Sequence, residues 1–352
     1  MKHRRAPTFC VWEITLACNT SCIHCGSHAG SARKNELDRK EVLDLCDAVA
    51  ALGVSRVTLS GGEPLVRPDW PGMARRLIEA GVGTDMISNG IAIDERCARR
   101  IADLGLRGVT LSIDGTEAAH DELRGQEGAY RKAMRAALLL RREGVPVGVV
   151  TQVNRRNHGD LPQLESALAE AGVMGWQLQL TMPMGRCEGG GELVVLPAEV
   201  PSIIRFIVEA SARRPFPVYA ADNIGWMLRC EPLLRTYTRP AGRFFHGCHA
   251  GLSLIGLSSC GDVRGCLSLP PAFDEGNVRR RDLAAIWRDK ELFTYNRKFR
   301  EEELTGACRT CPFRRVCRAG CKCIAYTSQG SISENGYCAR LFEKGIPGED
   351  PS

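Results

Sequence analysis

The sequence lacks the features of membrane, disordered and nucleic-acid-binding chains. No apolar run approaches the roughly 20 residues that span a bilayer. There is no internal repeat, no low-complexity tract, and no Lys/Arg-rich tract with interleaved aromatics. The 352 residues are 44% hydrophobic and 25% charged, as in soluble globular proteins. We therefore expect no nucleic acid and no membrane partner, while the net charge of +6 leaves room for an acidic peptide.

The amino terminus also lacks a complete secretion signal. A basic start runs into an apolar stretch, but Glu13 interrupts it and no small-residue cleavage site follows. The expected location is therefore cytoplasmic. Because cytoplasmic thiols are kept reduced, the 17 cysteines are not expected to form disulfides. Their density indicates metal or redox chemistry instead.

The first 220 residues alternate between short β-rich runs and longer helical patterns, which predicts βα units and a parallel sheet. Six units would form an α/β fold, a partial (β/α)6 TIM-like barrel, whose catalytic residues are expected at the carboxyl ends of the strands. Asp38, Asp69 and Asp94 are candidate helix caps. The predicted strands are 9–16, 55–60, 84–88, 108–113, 145–153 and 176–182, and the predicted helices are 38–52, 69–80, 94–104, 127–143, 160–171 and 197–212.

The pattern changes after the predicted barrel. Residues 213–247 are rich in Pro, Gly and Arg, which is typical of a linker or bridging segment. Beyond Cys248 the chain has short strands, one short helix (282–289) and cysteine-bearing loops, so metal clusters are expected to organise it. We therefore predict a barrel over 1–220, a linker over 221–247 and a small cysteine-rich α+β domain over 248–352.

Three cysteines follow the first predicted strand directly. Cys18, Cys22 and Cys25 form a C-x3-C-x2-C array that can wrap one metal centre from a single loop. A four-iron cubane usually takes four thiolates, so three would leave one iron open for chemistry. Zinc would need a fourth ligand, which His24 offers only awkwardly because it adjoins Cys25. Buried free thiols are the other alternative.

Further motifs follow the next strands, and together they resemble those of radical S-adenosylmethionine enzymes over residues 9–185. That family has C-x3-C-x-φ-C with φ usually aromatic, and here His24 stands at φ, so its ring is expected near the cofactor. Each remaining motif alone fits an ordinary turn, whereas their shared order is specific. The resemblance implies that the cofactor is bound by Gly61, Gly62 and Glu63 of SGGEPL, Ser88 and Asn89 of ISNG, Ser112 and Asp114 of LSIDG, and Arg124 of LRG.

The tail resembles the seven-cysteine SPASM extension of peptide-modifying radical enzymes, although a four-cysteine zinc knuckle is a simpler alternative. The resemblance implies two auxiliary clusters and thus three [4Fe-4S] clusters in all. The outer cluster takes Cys308, Cys311, Cys317 and Cys338. The inner cluster takes Cys248, Cys266 and Cys321. Its fourth ligand is open: Cys260 is the local candidate, and otherwise one iron could bind substrate.

The implied activity is reductive cleavage of S-adenosylmethionine to a 5′-deoxyadenosyl radical, with Cys18, Cys22 and Cys25 as the catalytic cysteines. The SPASM-like tail favours a maturase that crosslinks or otherwise modifies a ribosomally made peptide. Alternatives are oxidation or epimerisation of a small molecule such as a sugar or alcohol, and a noncatalytic electron carrier, against which the cofactor motifs argue. Expected partners are a flavodoxin-type electron donor and a separate leader-binding protein, since the cluster motif begins by residue 18. Cys187 is expected near the active-site mouth.

Overall fold

A computed structural model describes residues 6–213, 216–235, 244–342 and 346. Its strands form one sheet in the order β10-β9-β8-β1-β2-β3-β4-β5-β6-β7. The strands are β1 (Phe9–Glu13), β2 (Arg56–Ser60), β3 (Gly83–Ser88), β4 (Val109–Ser112), β5 (Val147–Val153), β6 (Gly175–Leu180), β7 (Val218–Ala220), β8 (Leu254–Leu257), β9 (Asp262–Arg264) and β10 (Gly276–Asn277).

Helices lie between the strands and continue into the tail. Those of the barrel are α1 (Arg39–Ala51), α2 (Trp70–Glu79), α3 (Glu95–Leu104), α4 (Glu117–Arg124), α5 (Ala129–Arg142), α6 (Leu161–Ala171), α7 (Val200–Arg213) and the short α8 (Glu231–Leu234). Those of the tail are α9 (Leu283–Arg288), α10 (Thr294–Arg297), α11 (Gly306–Thr310), α12 (Arg314–Cys317) and α13 (Lys322–Gln329). Among the described residues, no helix is long and apolar enough to cross a membrane.

The predicted helix caps have two different outcomes. The Asp38 carboxylate accepts a hydrogen bond from the Glu41 N–H and the Glu41 carboxylate accepts one from the Asp38 N–H, which is a capping box that begins α1. Asp94 caps α3 through the Cys97 N–H. Asp69 precedes α2 but makes no capping hydrogen bond. Its carboxylate instead accepts from the Arg67 guanidinium at 2.6 Å.

The predicted parallel barrel of six βα units is confirmed. Strands β1 to β6 pair in parallel with their sequence neighbours. A short seventh parallel strand, β7, pairs with β6 and extends the predicted set. Helix α4 was not predicted, and it places Arg124 at its last position.

The tail continues the barrel sheet at the edge opposite β7. Strand β8 pairs in parallel with β1, in the register Phe9 with Leu254, and β9 and β10 follow antiparallel. One continuous apolar core includes both Trp12 of the barrel and Trp287 of the tail. Of the predicted linker, residues 236–243 lie outside the described residues. The domain boundaries therefore stay predictions.

Side-chain alternation along the strands determines what faces the barrel interior. In β6, Trp176 and Leu178 are buried in the apolar core, while Gln177 and Gln179 line the interior cavity. In β1, Cys10 and Trp12 are buried in the core, while Val11 and Glu13 line the cavity. Successive side chains point to opposite faces of a strand. The outward faces of these strands are therefore apolar and buried in the core, while their inward faces line the cavity and carry polar residues.

Candidate active site

One polar cavity of about 370 Å³ lies at the carboxyl ends of the barrel strands. All the barrel site residues named from the sequence line it except Glu63. These are Cys18, Cys22, His24, Cys25, Gly61, Gly62, Ser88, Asn89, Ser112, Asp114 and Arg124. Residues separated by more than a hundred positions in the chain therefore share one wall, because parallel strands end at the same edge of the sheet.

The cysteine loop after β1 is held by backbone and side-chain contacts. Thr20 links two of the thiols, with its Oγ1 at 3.2 Å from the Cys18 Sγ and 3.3 Å from the Cys22 Sγ. The Cys25 Sγ accepts from the Ala29 N–H at 3.3 Å. Burial raises the pKa of the Cys18 thiol, although contacts with Thr20 oppose that shift. The three thiols thus face one cavity from a closed loop.

Arg186 fastens this loop from the far side of the barrel, and the sequence analysis did not identify it. Its Nη1 donates to the Cys22 carbonyl at 3.0 Å, its Nη2 donates to the Ala29 carbonyl, and its backbone N–H donates to the Cys25 carbonyl at 3.0 Å. An arginine in an irregular segment carries no sequence signal for such a contact. Arg186 is therefore a positioning residue for the cysteine loop.

Glu63 lies behind the cavity wall rather than on it. Its buried carboxylate accepts from the Ser88 hydroxyl at 2.9 Å and from the Asn89 N–H at 2.7 Å, as well as from its own turn at Leu65. Burial raises the pKa of the Glu63 carboxyl to about 6, although the Asn89, Leu65 and Ser88 hydrogen bonds oppose that shift. Glu63 therefore ties the turn after β2 to the turn after β3.

A buried charged group occupies the cavity floor. The Asp114 Oδ2 lies 3.0 Å from the His24 Nε2 and 2.5 Å from the Arg124 Nη2. Burial disfavours the charged form of Asp114, but Arg124 and His24 outweigh burial and hold the pKa of the carboxyl well below its usual range. Arg124 also lies 3.7 Å from the Cys22 Sγ. His24, whose ring is predicted near the cofactor, and Arg124, which is predicted to bind it, are thus joined through Asp114.

These residues fit the predicted cluster and cofactor on two observations. Cys18, Cys22 and Cys25 form no disulfide bonds, and all three line the same cavity. Within the described part of the chain, the buried His24 Nδ1 and Arg124 Nε on that wall have no hydrogen-bond partner. Buried polar atoms are rarely left unpaired, so a polar ligand in the cavity would satisfy them.

The four cysteines assigned to the outer cluster surround one small pocket in the tail. Cys308, Cys311, Cys317 and Cys338 line it together with Trp226, Met227 and the Arg314 and Arg340 side chains. Burial raises the pKa of the Cys338 thiol to about 11, and the neighbouring Cys308 and Cys311 add to the shift. The four thiols predicted to bind one cluster are therefore brought together.

The cysteines assigned to the inner cluster form a second group. Cys248, Cys266 and Cys321 pack against a small buried cluster made of Ala250, Leu269 and Cys323. Burial raises the pKa of the Cys323 thiol well above its usual value, and the neighbouring thiols that add to the shift are Cys321, Cys266 and Cys248. Sequence reasoning had left Cys323 without a role.

Cys260, the local candidate for the open fourth position of the inner cluster, does not pack with this group. Cys260 lies in the turn after β8, and its thiol donates at 3.1 Å to the Oδ1 of Asn35, which belongs to the loop between β1 and α1. Burial raises the pKa of the Cys260 thiol, and among the neighbouring charges Arg33 opposes the shift while Asp262 and Glu36 add to it. The turn after β8 carries Cys260 toward the barrel loop, so this placement does not support it as a ligand.

Two other observations bear on the cysteines. Cys187 is buried, with its thiol 3.6 Å from the Ile23 carbonyl, and it does not line the cavity. Over the described ranges, no group of three or more His, Cys, Asp or Glu side chains is arranged to hold a single metal ion. The ligand assignments therefore rest on shared pockets and packing, and they stay predictions.

Two sequence profiles match the chain. The Radical SAM superfamily matches residues 12–162, and the iron-sulfur cluster-binding SPASM domain matches residues 248–312. The chain is 31% identical over 346 residues to an AdoMet-dependent heme synthase of Methanosarcina barkeri, covering 95% of this chain and 96% of that relative. It is 30% identical over 330 residues to the mycofactocin maturase MftC of Mycobacterium ulcerans, covering 90% of this chain and 83% of that relative.

The fold resembles that of solved enzymes of low sequence identity. Streptococcus suis SuiB bound to S-adenosylmethionine superimposes with a TM-score of 0.75 at 18% identity, over 95% of this chain and 77% of SuiB. Native anSMEcpe with bound AdoMet superimposes with a TM-score of 0.73 at 16% identity, over 96% of this chain and 95% of that chain. At these identities the likeness shows the fold alone.

Proposed function

From the premise that this chain belongs to the Radical SAM superfamily and carries a SPASM iron–sulfur domain, we propose that it is a maturase that modifies a ribosomally made peptide. As a member of that family it is an enzyme that uses S-adenosylmethionine and iron–sulfur clusters. The observation that carries the proposal is the single cavity into which the cysteine loop and the ordered motifs converge, and whose wall includes Leu267 and Ser268 of the tail.

Cys18, Cys22 and Cys25 hold the cluster in this proposal, and Gly61, Gly62, Ser88, Asn89, Ser112 and Arg124 surround S-adenosylmethionine. A reduced cluster held by these cysteines would supply the electron for reductive cleavage of S-adenosylmethionine, and the cofactor would supply the chemistry that removes a substrate hydrogen. Arg186 and Thr20 fix the cysteine loop. Glu63 orients the Ser88 hydroxyl and the Asn89 backbone, and Asp114 orients His24 and Arg124.

The composition of the cavity favours a peptide substrate. Gln152, Gln177 and Gln179 line the barrel wall, and amide side chains both donate to and accept from peptide groups. The arginines on the cavity wall described here, Arg124 and Arg186, are engaged by Asp114 and by backbone carbonyls. A substrate with several carboxylates would need cations that are not already engaged. The maturase relatives at 30% identity support the same substrate class.

A second candidate is the oxidation of a small molecule. It is favoured by the relatives named heme synthase, one of which matches this chain over 96% of its own length. Heme carries carboxylates, so this candidate requires the substrate either to bind the Arg124 Nε, which has no partner among the described residues, or to displace an internal partner of Arg124 or Arg186.

The test begins with anaerobically reconstituted protein. Dithionite and S-adenosylmethionine should yield 5′-deoxyadenosine, and replacing Cys18, Cys22 and Cys25 by Ala should abolish it. About twelve irons are expected for three cubane clusters. Persistence of 5′-deoxyadenosine in the triple variant removes the central claim, and a count near four removes both tail clusters.

Substrate class is tested separately. A peptide encoded beside the gene should change mass only with the cofactor, the reductant and the wild-type enzyme, and a flavodoxin-type protein should replace dithionite. A heme-type tetrapyrrole serves as the matched alternative. Conversion of the tetrapyrrole without any change in the peptide establishes the second candidate.

A further inference from the structure

We propose that Cys323 is the fourth thiolate ligand of the inner auxiliary cluster, which rests on the proposed inner cluster itself. Cys323 is only 3% exposed and belongs to the same buried group as Cys248, Cys266 and Cys321. Four-iron cubanes usually take four thiolates, and this group contains four. The inner cluster then has no open iron.

Three separate segments bring these thiols together. Cys248 follows the region between the barrel and β8, Cys266 follows β9, and Cys321 stands at the N-cap of α13. Cys323 lies two residues further along, within the first turn of that helix. The side chains of Cys248, Cys266 and Cys321 pack against the buried cluster that contains Cys323.

Cys323 already contacts the loop that carries Cys266. Its thiol donates to the Ser268 carbonyl at 2.6 Å, and Ser268 lies two residues after Cys266. A buried thiol that serves only as packing would keep this hydrogen bond. A ligand thiolate would give up its proton to bind iron, since the thiolate is the metal-binding form. The two roles are therefore separable by experiment.

The alternative ligand is directed elsewhere. Cys260 donates to Asn35 beside the barrel loop. Its buried side chain is not among those packed with Ala250, Leu269 and Cys323. Cys260 thus provides a matched control: it is a buried thiol of the same tail, with a carbonyl-type acceptor of its own, outside the inner group.

Full thiolate ligation has a consequence for chemistry. Met182 and Met184 line the main cavity and also pack against the inner cysteine group. Leu267 and Ser268, next to Cys266, complete the cavity wall. A cluster with four thiolates at this place can exchange electrons across that wall but offers no iron to bind substrate. Its role is then electron transfer rather than substrate coordination.

The test uses the full chain with Cys18, Cys22 and Cys25 replaced by Ala, so that only the auxiliary clusters remain. This background should hold about eight irons. Adding Cys323→Ser should lower the count by about one iron, with a three-iron EPR signal in the oxidised protein, or by about four if the whole cluster is lost. Adding Cys260→Ser should leave iron content and EPR spectra unchanged.

Each outcome has one meaning. An unchanged iron count and unchanged spectra in Cys323→Ser, with eight irons in the background, overturn the Cys323 assignment alone. A background count near four overturns the inner cluster and with it this inference. The cyanide response of the reduced background protein is a second measurement that needs no Cys323 variant. No shift of its EPR spectrum is expected, and a shifted signal would reveal an open iron and overturn the proposal.

Discussion

At the scale of single residues, Glu63 acts through the groups that it orients. Its carboxylate accepts from Ser88 and from the Asn89 N–H while remaining off the cavity wall. Hydrogen bonds to a charged group are worth about 1.5–3 kcal/mol each. We expect Glu63→Gln to weaken S-adenosylmethionine binding by about ten- to a hundredfold, since the amide replaces one acceptor by a donor.

The measurement is the change in the EPR spectrum of the reduced cluster on titration with S-adenosylmethionine. Iron content should stay at the wild-type level, which separates a positioning role from loss of the cluster. Glu41→Gln is the matched control, because Glu41 caps α1 and pairs with Arg279 far from the cavity. Wild-type affinity in Glu63→Gln would show that the Ser88 and Asn89 turn holds its shape unaided.

His120 gives the protein a stability that depends on pH. Its ring is buried and its Nδ1 accepts from the Asp114 N–H at 3.0 Å. Burial, with Arg124 next in importance, lowers the pKa of His120 from 6.5 to about 4. The unfolded chain therefore takes up a proton near pH 6.5 that the folded protein refuses until about pH 4. The contribution of His120 is complete above pH 6.5 and is lost as the pH falls toward 4.

The matched variant is His120→Asn, which keeps an acceptor near Nδ1 but does not titrate. Between pH 7.5 and 5.5 the wild type should lose about 1 kcal/mol more stability than this variant. In a chain of this size that is about 2 °C in the midpoint of anaerobic thermal unfolding. Cluster-related pH effects are common to both proteins and cancel in the difference. Parallel curves for the two proteins would refute the assignment to His120.

At the scale of elements, the turn after β2 packs directly on the loop that carries Cys18. A Cβ added at Gly62 would lie 2.3 Å from the Ala17 carbonyl oxygen and 2.6 Å from that of Leu16, and both are backbone atoms. Such a contact forces one of the two segments to move. We expect Gly62→Ala to displace the cysteine loop and to reduce the iron held there by about four per chain.

Gly72→Ala is the control, because a Cβ at Gly72 in α2 meets nothing within 4 Å. Because Gly72 lies in the first turn of α2, this change should stabilise by at most about 0.5–1 kcal/mol and leave the iron content unchanged. Iron and sulfide analysis of both proteins after identical reconstitution gives the comparison. Full iron content in Gly62→Ala would mean that the two turns separate without disturbing the cysteines.

A feature of this structure can be predicted from the sequence when it depends on residues within one short segment of the chain. The six βα units and the motifs behind each strand were predictable, because period-two and helical patterns are properties of short segments. Helix α4 was missed because its sequence, EAAHDELR, is short and mostly polar. The pairing of β8 with β1 joins residues 245 positions apart, and no local pattern encodes such a partner.

The same limit applies within the site. Glu63 stands in a motif that made it visible, yet only the fold shows that it orients Ser88 instead of lining the cavity. Spacing placed Cys260 near the inner group, whereas the turn after β8 directs it to Asn35. Arg186 acts on carbonyls 157 and 164 residues away, which no spacing rule anticipates. The sequence identifies the residue types of the site but does not show in which direction their side chains point.

At the scale of the whole molecule, the two parts of the chain are stabilised in different ways. The strands and helices of the barrel contribute most of an apolar core that continues into the tail. Beyond α10, the tail consists of helices of four to eight residues joined by cysteine-bearing turns. Helices this short are marginal without tertiary support. In the proposed function that support comes from the outer cluster, so its binding energy is also folding energy for this segment.

Removing iron should therefore loosen the tail before the barrel. After anaerobic treatment with an iron chelator, limited proteolysis should cut first within residues 300–338, while β1 to β6 stay protected. The iron-loaded protein should resist cleavage there at the same protease concentration, and mass spectrometry of the fragments identifies the sites. Replacing Cys308 and Cys317 together by Ala should reproduce the chelated pattern in the tail without exposing the barrel, because both thiols line the outer pocket. Equal cleavage of 300–338 with and without iron would mean that packing against Trp226 and Phe313 suffices to hold the tail, and that its cysteines serve redox chemistry alone.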